Sequence, residues 1–340
     1  MATSGVYVAG RGDATYPTGG LFLFHETATG WTGNKLAAVP KLCSLARHPE
    51  LAVVYGTSVG DDEGRLHAWR IDGDRPAESL SQVGSGGMDP CHVCVDPTGS
   101  LLVVCNYSSG VLGCWTLAGD GAIDSPASSI VLQGNGSGVI SARQDRPHPH
   151  QAQFVGDQLL VTDLGADCLR QFSIDVRHGL AEVMRYPSPP GGGPRHLVRT
   201  ATGAVAVSME LSGELAVCSP DLSRWHTVPS TQRSGPVISR SAANYPGDLQ
   251  RSADGKIGYL ANRGYHTVAA LTLDDTPQLL AEVDAGVRWP QHLLVDGDRL
   301  LIAGQDSSQV VALPLDSAGW PGRPEPLFDC PGACWLLPAG

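Results

Sequence analysis

Short apolar runs bounded by glycine, proline and aspartate recur along the whole chain, which shows no long helical pattern. The clearest case follows a polar loop that ends in His148-Pro149-His150, and it turns at Gly156-Asp157 after a short strand. A second apolar strand comes next and ends at Asp163. Gly-Asp turns between β-rich runs are typical of hairpins. Because the two ends of an antiparallel hairpin lie side by side, we expect His150 and Asp163 at the same open end.

Four further segments repeat this pattern of a polar start, an apolar strand, a turn and a second apolar strand that stops at polar residues. If the five hairpins are arranged radially, their open ends converge on one face. The four segments run from Pro90 through Pro97-Thr98-Gly99 to Asn106-Tyr107, from Gly193 through Ala201-Thr202-Gly203 to Glu210, from Tyr245 through Asp254-Gly255 to Asn262-Arg263, and from Trp289 through Asp296-Gly297-Asp298 to Gln305-Asp306.

The hairpins belong to a repeat that covers the whole chain. Second strands end roughly every 40–60 residues, a spacing that suits the four-stranded blades of a propeller. Seven such ends predict an all-β, seven-bladed β-propeller that forms a single domain over residues 1–340. The ends lie at Gly10-Arg11, Gly56-Thr57, Asn106, Asp163, Glu210, Asn262 and Gln305.

The two ends of the chain are predicted to close the ring. The first blade lacks a strand before residues 6–9, and an unassigned apolar segment, residues 333–337, remains near the C-terminus. We expect these segments to pair in one blade, because closure removes the exposed edges that an open array of sheets would leave. The second repeat, residues 41–58, ends without an ionisable group and is expected to be structural.

Charge and composition narrow the function. The net charge of −11 at pH 7 argues against binding to nucleic acid or to an anionic membrane surface, so an anionic substrate would need locally placed arginines. No apolar stretch approaches the roughly 18 residues of a membrane span, and residues 1–10 lack the basic region of a signal peptide. Nine scattered cysteines, several of them inside strand patterns, favour reduced structural thiols and a cytoplasmic protein.

Polar and ionisable residues stand at the predicted open ends. Any one of them is at least as often a plain strand-end residue as a functional one, but their convergence on one face favours function. The set comprises His92, Asn106, Tyr107, His148, His150, Asp163, Arg195, His196, Glu210, Asp248, Arg263, Gln291, His292, Gln305 and Asp306.

Two histidines in this set permit two interpretations. On an extended segment the side chains of His148 and His150 share a face, as a metal pair requires. No clear third ligand accompanies them, and an imidazole titrates near neutrality, so a general base is the better interpretation for one of them.

An arginine and a glutamate carry the other strong signals. Arg195 follows a glycine-rich turn, where the backbone can approach a ligand and the guanidinium can grip a carboxylate or phosphate. Glu210 ends an apolar run and should be partly buried, which requires a partner such as Arg195 or Arg263. A purely structural Arg–Glu pair is the alternative. No Gly-x-Ser-x-Gly elbow is found and no serine stands out beside a histidine and an aspartate, which disfavours acyl-enzyme chemistry.

Taken together, these motifs resemble the seven-bladed propeller lactonase family. That family includes bacterial propeller-type 6-phosphogluconolactonases and is similar to fungal cis,cis-muconate lactonising enzymes. The resemblance covers essentially the whole chain in order. The matching motifs are Pro147-His148-Pro149-His150 with Asp163-Leu164-Gly165, Gly193-Pro194-Arg195-His196 with Glu210-Leu211, Asn262-Arg263-Gly264, and Asn106-Tyr107 with Gly110.

The resemblance implies a lactonase site at the mouth of a channel, without a metal or other cofactor. Its catalytic residues in this sequence would be His150, Arg195, Glu210 and Arg263. The expected reaction is hydrolysis of a small anionic sugar lactone, with 6-phosphogluconolactone as the first candidate. His150 or Glu210 would activate water, and the two arginines would stabilise the oxyanion. The protein is expected to be a monomer or a weak homo-oligomer.

Around these four residues, further side chains at the open ends are expected to bind the substrate. Two departures from the family pattern bear on the substrate more than on the fold: Gln250 stands where a histidine is common, and Gln291 where an arginine is common. The expected substrate-binding residues are His92, Asn106, Tyr107, His148, Asp163, His196, Gln291 and Gln305.

Two other functions stay open. A different lactonase, or a lactonising isomerase, would use the same residues on a non-phosphorylated acid or lactone. A non-catalytic propeller that binds a partner protein would show an apolar or aromatic patch in place of clustered arginine and histidine. The ionisable residues favour catalysis, although a fold alone does not fix a function.

Overall fold

Seven four-stranded sheets make up the computed structural model, which describes residues 5–12, 19–156, 158–175, 179–233 and 243–340 and has no helix within them. Asp157, in one predicted turn, lies outside the described residues. The terminal sheet joins β28 (Ala333–Pro338), β1 (Gly5–Gly10), β2 (Gly20–Thr27) and β3 (Gly30–Ala38) in that order. The predicted pairing of the two chain ends is therefore confirmed.

Each of the other six sheets uses four consecutive strands, and the predicted hairpins are confirmed as the first two strands of their sheets. Three of these sheets comprise β4 (Leu42–Arg47), β5 (Val53–Ser58), β6 (Arg65–Arg70) and β7 (Glu78–Gly84); β8 (Pro90–Val95), β9 (Leu101–Asn106), β10 (Val111–Leu117) and β11 (Ile123–Val131); and β12 (Pro149–Val155), β13 (Gln158–Asp163), β14 (Cys168–Asp175) and β15 (Gly179–Pro187). The other three comprise β16 (Pro194–Arg199), β17 (Val205–Met209), β18 (Glu214–Cys218) and β19 (Trp225–Pro229); β20 (Pro246–Arg251), β21 (Ile257–Asn262), β22 (Thr267–Thr272) and β23 (Leu279–Asp284); and β24 (Pro290–Asp296), β25 (Arg299–Gly304), β26 (Gln309–Pro314) and β27 (Glu325–Asp329).

Burial falls steeply from the middle of each sheet to its last strand. Second strands such as β9 and β17 are buried along their whole length, whereas fourth strands such as β7 and β19 are half-buried or exposed. A strand covered on both faces tolerates a continuous apolar run instead of an alternating one. For this reason the second strands stand out in the sequence as uninterrupted apolar segments.

The chain divides into two compact units, residues 1–8, 24–33 and 191–340 in one and residues 9–23 and 34–190 in the other. Within the first unit the strands β16, β20, β24 and β28 lie side by side in that order, and within the second unit β4, β8 and β12 do so. Buried apolar side chains fill the space between successive sheets of a unit, for example Leu215, Leu249 and Leu260 in one and Phe172, Leu112 and Val161 in the other. A single domain stays a prediction.

The first strand of six sheets carries the same irregularity next to its first residue. In all six sheets that have four consecutive strands, the pairing with the second strand skips the residue after the first one. In β16 and β20 it also skips the next residue, His196 and Asp248 respectively. Such a β-bulge re-aims a side chain and is frequent beside active sites. The residues directly after the first one, called bulge residues below, are Cys43, Cys91, His150, Arg195, Gly247 and Gln291.

Backbone hydrogen bonds also define equivalent positions at the ends of the second strands. In the same six sheets, the N–H group after the second strand donates to the carbonyl before the first strand, as from Glu210 to Gly193 (2.9 Å) and from Arg263 to Tyr245 (3.2 Å). Glu210 and Arg263 are thus equivalent, whereas Asn262 lies one residue earlier. The ends of the apolar runs align Glu210 with Asn262, which is wrong by one residue, because β17 ends in the apolar Met209 whereas β21 ends in Asn262 itself.

Candidate active site

Three of the predicted catalytic side chains meet in one unit and form an arginine–glutamate cluster, defined here as Arg195, Glu210 and Arg263. Glu210 is only 4% exposed, and its Oε2 atom accepts a hydrogen bond from Arg263 Nη2 at 2.7 Å. The same oxygen lies 3.0 Å from Nε of Arg195, which is also buried. The expected burial and partners of Glu210 are therefore found, with both arginines as partners at once.

Arg263 is fixed by contacts along its whole side chain. Its Nε donates to the Tyr245 carbonyl at 3.1 Å, and its Nη1 lies 3.4 Å from Gln291 Oε1. The guanidinium stacks over the indole of Trp289 at 5.2 Å, and the indole N–H donates to the same Gln291 oxygen at 3.1 Å. A Cβ at Gly247 would lie 2.9 Å from Arg263 Cδ, so this glycine leaves room for the arginine.

The glycine-rich turn before Arg195 packs against the segment that carries Glu210. Besides the bond between Glu210 and Gly193, the N–H of Leu211 donates to the Gly192 carbonyl at 3.0 Å. Gly193 has φ of 63°, and a Cβ there would lie 2.5 Å from Leu211 Cγ. Only glycine meets both conditions easily. The turn thus brings Arg195 and Glu210 together through the backbone, a packing role beyond the ligand approach expected from the sequence.

A second polar network, the Asp248 network, lies in the same unit. Asp248 Oδ1 is 2.7 Å from His196 Nδ1, and Oδ2 accepts hydrogen bonds from Leu293 N at 2.9 Å and Gln250 Nε2 at 3.0 Å. His292 Nε2 lies 3.5 Å from Oδ2. His196 and His292, two open-end histidines of the sequence analysis, are thereby bound to one buried carboxylate.

Protonation in this network follows from burial. Burial and nearby Arg195 lower the pKa of His196 to about 4, against the pull of Asp248. Burial also lowers the pKa of His292. For Asp248, burial acts to raise the pKa, but His292, His196 and Gln250 hold it well below its usual range. At neutral pH the network is therefore one carboxylate that accepts hydrogen bonds from neutral neighbours.

In the other unit, Tyr107 stacks on one predicted histidine and meets the second edge-on. Its ring is stacked on His148 at 4.5 Å and lies edge-on to His150 at 5.8 Å. His148 is further held by the Tyr107 carbonyl at 2.8 Å and by Asp145 Oδ1 at 3.0 Å. Arg143, which the sequence analysis missed, donates to the Tyr107 hydroxyl at 3.2 Å. No periodic signal marks Arg143, because it lies in an irregular loop.

Asn106 and Asp163 end their second strands and are fully buried. Asn106 bonds to Ser85 through both ends of its amide, at 2.7 and 2.9 Å. Asp163 accepts hydrogen bonds from Arg170 Nε at 2.7 Å and from the His148 N–H at 2.8 Å. Their predicted contact with substrate stays a prediction, and these occupied contacts favour a structural role.

The remaining predicted residues hold equivalent places. His92 follows the bulge residue of β8 as His292 follows that of β24, and both are buried. Gln305 stands after β25, where its N–H donates to the Trp289 carbonyl at 3.1 Å. Gln291 is the bulge residue of β24 and contacts Arg263 directly. His150 is also a bulge residue but belongs to the other unit, so its catalytic role stays a prediction.

A serine–histidine pair escaped the sequence analysis. Ser58 Oγ and His67 Nε2 lie 2.8 Å apart, both side chains are buried, and the imidazole stacks on Trp69 at 5.1 Å. Burial, with a smaller effect of Arg65, lowers the pKa of His67 to about 4. Ser58 pairs with Arg65 and His67 with Gly56 across β5 and β6, so the two side chains are diagonal neighbours, which sequence spacing reveals only once the register is known.

This histidine predicts a pH dependence of stability. The unfolded chain binds a proton at His67 below about pH 6.5, whereas the folded protein does not until about pH 4, so its stability should fall as the pH drops between these values. The loss expected from His67 is at most about 3 kcal/mol. The free energy of unfolding in urea should differ less between pH 7.5 and pH 5 in His67→Gln than in wild type. In His226→Gln, on an exposed strand, this pH difference should match that of wild type. An unchanged difference in His67→Gln would rule out this assignment.

Within the described residues, no group of three or more His, Cys, Asp or Glu side chains is arranged to hold a metal ion. No helix in this part of the chain has the length and apolar character needed to cross a bilayer.

Comparisons with known proteins match a lactonase family model, a curated relative and solved structures of the same fold. The family model described as "Lactonase, 7-bladed beta-propeller" matches residues 28–321. The 6-phosphogluconolactonase of Bacillus subtilis strain 168 is 26% identical over 307 residues, which cover 84% of this chain and 85% of that protein. A Lactobacillus plantarum protein of known structure has a TM-score of 0.87 at 23% identity, with 99% of both chains covered. The periplasmic gluconolactonase of Pseudomonas aeruginosa has a TM-score of 0.83 at 21% identity, with 98% of both chains covered.

Proposed function

Because the chain belongs to the lactonase family of seven-bladed β-propellers, we propose that it hydrolyses a sugar lactone, with 6-phosphogluconolactone as the first candidate. The Bacillus subtilis relative carries the name of that activity. The observation that carries the proposal is the arginine–glutamate cluster, in which one buried carboxylate lies between two guanidinium groups at 2.7 and 3.0 Å. Lactone hydrolysis needs a proton acceptor for water and cationic donors for an oxyanion, and this cluster supplies both.

In the proposed reaction, a water oxygen attacks the carbonyl carbon of the lactone, and the Glu210 carboxylate accepts the proton that water loses. The carbonyl oxygen becomes an oxyanion, which a guanidinium group of Arg195 or Arg263 stabilises. When the intermediate collapses, the bond between the carbonyl carbon and the ring oxygen breaks. The proton from Glu210 passes to that ring oxygen, which becomes a hydroxyl of the open-chain acid.

The charge of the cluster supports an anionic substrate. Two arginines against one glutamate leave a net positive charge, in a protein whose net charge is −11. Because these groups are buried, their attraction for an anion is screened less than that of surface charges. A phosphorylated or carboxylated lactone is therefore preferred over a neutral one.

A neutral sugar lactone is the second candidate, since the Pseudomonas aeruginosa structural neighbour is named a gluconolactonase. In that case both arginines would act on the reacting carbonyl alone. The lactonising isomerase considered from the sequence would instead close a lactone ring on an unsaturated diacid.

Initial rates at controlled pH on 6-phosphogluconolactone, gluconolactone and cis,cis-muconate separate these functions, provided that the uncatalysed hydrolysis of each lactone is subtracted. We expect kcat/KM to be highest for 6-phosphogluconolactone. Equal values for the two lactones would favour the neutral substrate, and turnover of muconate alone would favour the isomerase. No turnover of any of the three would contradict the proposed function.

We also infer a cytoplasmic location from the cysteines. Cys105, Cys114, Cys168 and Cys218 are buried, and burial raises the pKa of each thiol, to about 12 for the last three. Such thiols are inert core side chains, a use that suits a reducing compartment. Recovery of the native protein from a periplasmic or secreted fraction would contradict this location.

A further inference from the structure

Three consecutive first strands of one unit, β16, β20 and β24, present their bulge residues to the arginine–glutamate cluster. Arg195 from β16 is a member of the cluster. Gly247 from β20 lies against the aliphatic part of Arg263, where any Cβ would be 2.9 Å from Cδ. Gln291 from β24 lies 3.4 Å from the Arg263 guanidinium. The geometry of these bulges therefore sets where both guanidinium groups point.

A single buried side chain is bonded to residues that lie in these bulges or just after them. Asp248 comes directly after Gly247, and its Oδ1 holds His196, the residue after Arg195, at 2.7 Å. Its Oδ2 accepts a hydrogen bond at 2.9 Å from the N–H of Leu293, two residues after Gln291. One carboxylate thus ties all three strands together immediately beside their bulges.

We propose that Asp248 is a positioning residue for lactone hydrolysis: its carboxylate fixes the bulges of β16, β20 and β24 and so holds Arg195 and Arg263 around Glu210. The inference rests on the proposed function, because it assigns Asp248 to the same cluster. Catalytic groups need support of this kind, since a misplacement of about 1 Å can lower a rate by about 10²-fold.

The exchange of Asp248 for asparagine is a sharp probe, because it keeps the shape and changes the hydrogen bonding. Both oxygens of Asp248 accept: Oδ1 from His196, and Oδ2 from Leu293 N and Gln250 Nε2. An asparagine amide offers one acceptor and one donor and carries no charge, so either a donor faces a donor on one side or the neutral imidazole of His196 must move its proton to Nε2. In both cases the charge-assisted hydrogen bonds that join the three strands are weakened.

Asp296 provides a matched control in the same unit. It is also a buried carboxylate on a first strand, β24, but lies at the opposite end of that strand, where it accepts a hydrogen bond from Arg299 Nη2 at 2.9 Å. Asp248→Asn should lower kcat on 6-phosphogluconolactone by about 10²-fold with a much smaller change in KM. Asp296→Asn should keep the wild-type kcat. Both are assayed at a temperature where circular dichroism shows them folded.

A double variant separates positioning from loss of structure. In an Arg195→Ala background, Asp248→Asn should have much less effect than in wild type, because one of the groups it positions is gone. The inference would be overturned if Asp248→Asn lowered kcat as much in the Arg195→Ala background as in wild type. Equal kcat for Asp248→Asn and wild type would also overturn it.

A readout without turnover keeps this test separate from the proposed function. The NMR signals of the Arg195 and Arg263 Nε–H groups, assigned with Arg195→Lys and Arg263→Lys, should shift in Asp248→Asn and stay in place in Asp296→Asn. If wild type hydrolyses none of the lactones, the proposed function fails, yet these signals still report whether Asp248 holds the guanidinium groups. Unshifted signals in Asp248→Asn would reject the positioning role whatever the activity.

Discussion

Arg263→Ala is expected to lower kcat for lactone hydrolysis by about 10²–10³-fold, which corresponds to about 2.7–4 kcal/mol in the barrier. The guanidinium donates to Glu210 at 2.7 Å and is locked by the Tyr245 carbonyl, Gln291 and Trp289, so it is already oriented before the reaction. A donor that needs no reorganisation gives most of its stabilisation to the developing oxyanion. The measurement is the background-corrected initial rate on 6-phosphogluconolactone at saturating substrate.

Arg288→Ala is the matched control for this variant. Arg288 lies in the same unit and is exposed, and it donates to the Asp306 carbonyl at 3.2 Å. Its removal should leave kcat unchanged. Added guanidinium ion should restore part of the activity of Arg263→Ala and have no effect on Arg288→Ala. A wild-type kcat in Arg263→Ala would remove this arginine from the mechanism.

Arg170→Ala is expected to destabilise the protein by about 3–5 kcal/mol without a direct effect on chemistry. Arg170 is fully buried, with Nε on Asp163 at 2.7 Å, Nη1 on Glu182 at 3.0 Å and Nη2 on the Gln133 carbonyl at 3.1 Å. Removal of the cation leaves the buried Asp163 carboxylate without its counter-ion. The free-energy cost of this unpaired buried charge is the main part of the expected destabilisation. Urea unfolding at neutral pH measures the loss.

The neighbouring Arg185 shows how solvent exposure reduces the contribution of an ion pair to stability. Arg185 donates to the same Glu182, but its side chain is 39% exposed, and such pairs contribute about 0–1 kcal/mol. Arg185→Ala should therefore change the unfolding free energy by less than about 1 kcal/mol. Similar losses in the two variants would contradict the structural role given to the Asp163–Arg170 pair.

Most of the fold could be predicted from the sequence, because the signals are local and repeated. A turn of glycine, proline or aspartate separates two apolar strands in hairpin after hairpin, and the strands that are buried on both faces appear as continuous apolar runs. The pairing of the chain ends followed from the lack of a strand before residues 6–9 and from the unassigned apolar segment near the C-terminus.

The bulges could not be predicted in the same way. A Pro-x-polar-Leu pattern opens β16, β20 and β24. Read as a regular strand, this pattern would alternate its side chains between the two faces of the sheet without interruption. One skipped residue changes which side chains share a face, and the hydrophobic pattern does not record it. The one-residue error at Glu210 has a related cause. β17 ends with its apolar run at Met209, whereas β21 continues one residue further, to the polar Asn262.

Part of the site could be predicted because a buried charge requires a partner. Glu210 at the end of an apolar run called for an arginine, and Arg195 and Arg263 were the candidates. The Asp248 network escaped, because its members are far apart in sequence and only the order of β16, β20 and β24 brings them together. Arg143 escaped because no regular pattern governs its loop.

The most direct test of the account is the background-corrected rate of 6-phosphogluconolactone hydrolysis by wild type and by Glu210→Gln at the same pH and enzyme concentration. Glutamine keeps the size of the side chain but can neither accept the proton from water nor balance the charges of Arg195 and Arg263. The account predicts hydrolysis well above background for wild type and a loss of at least about 10²-fold in the variant. Hydrolysis at equal rates by both proteins would contradict the role of the arginine–glutamate cluster.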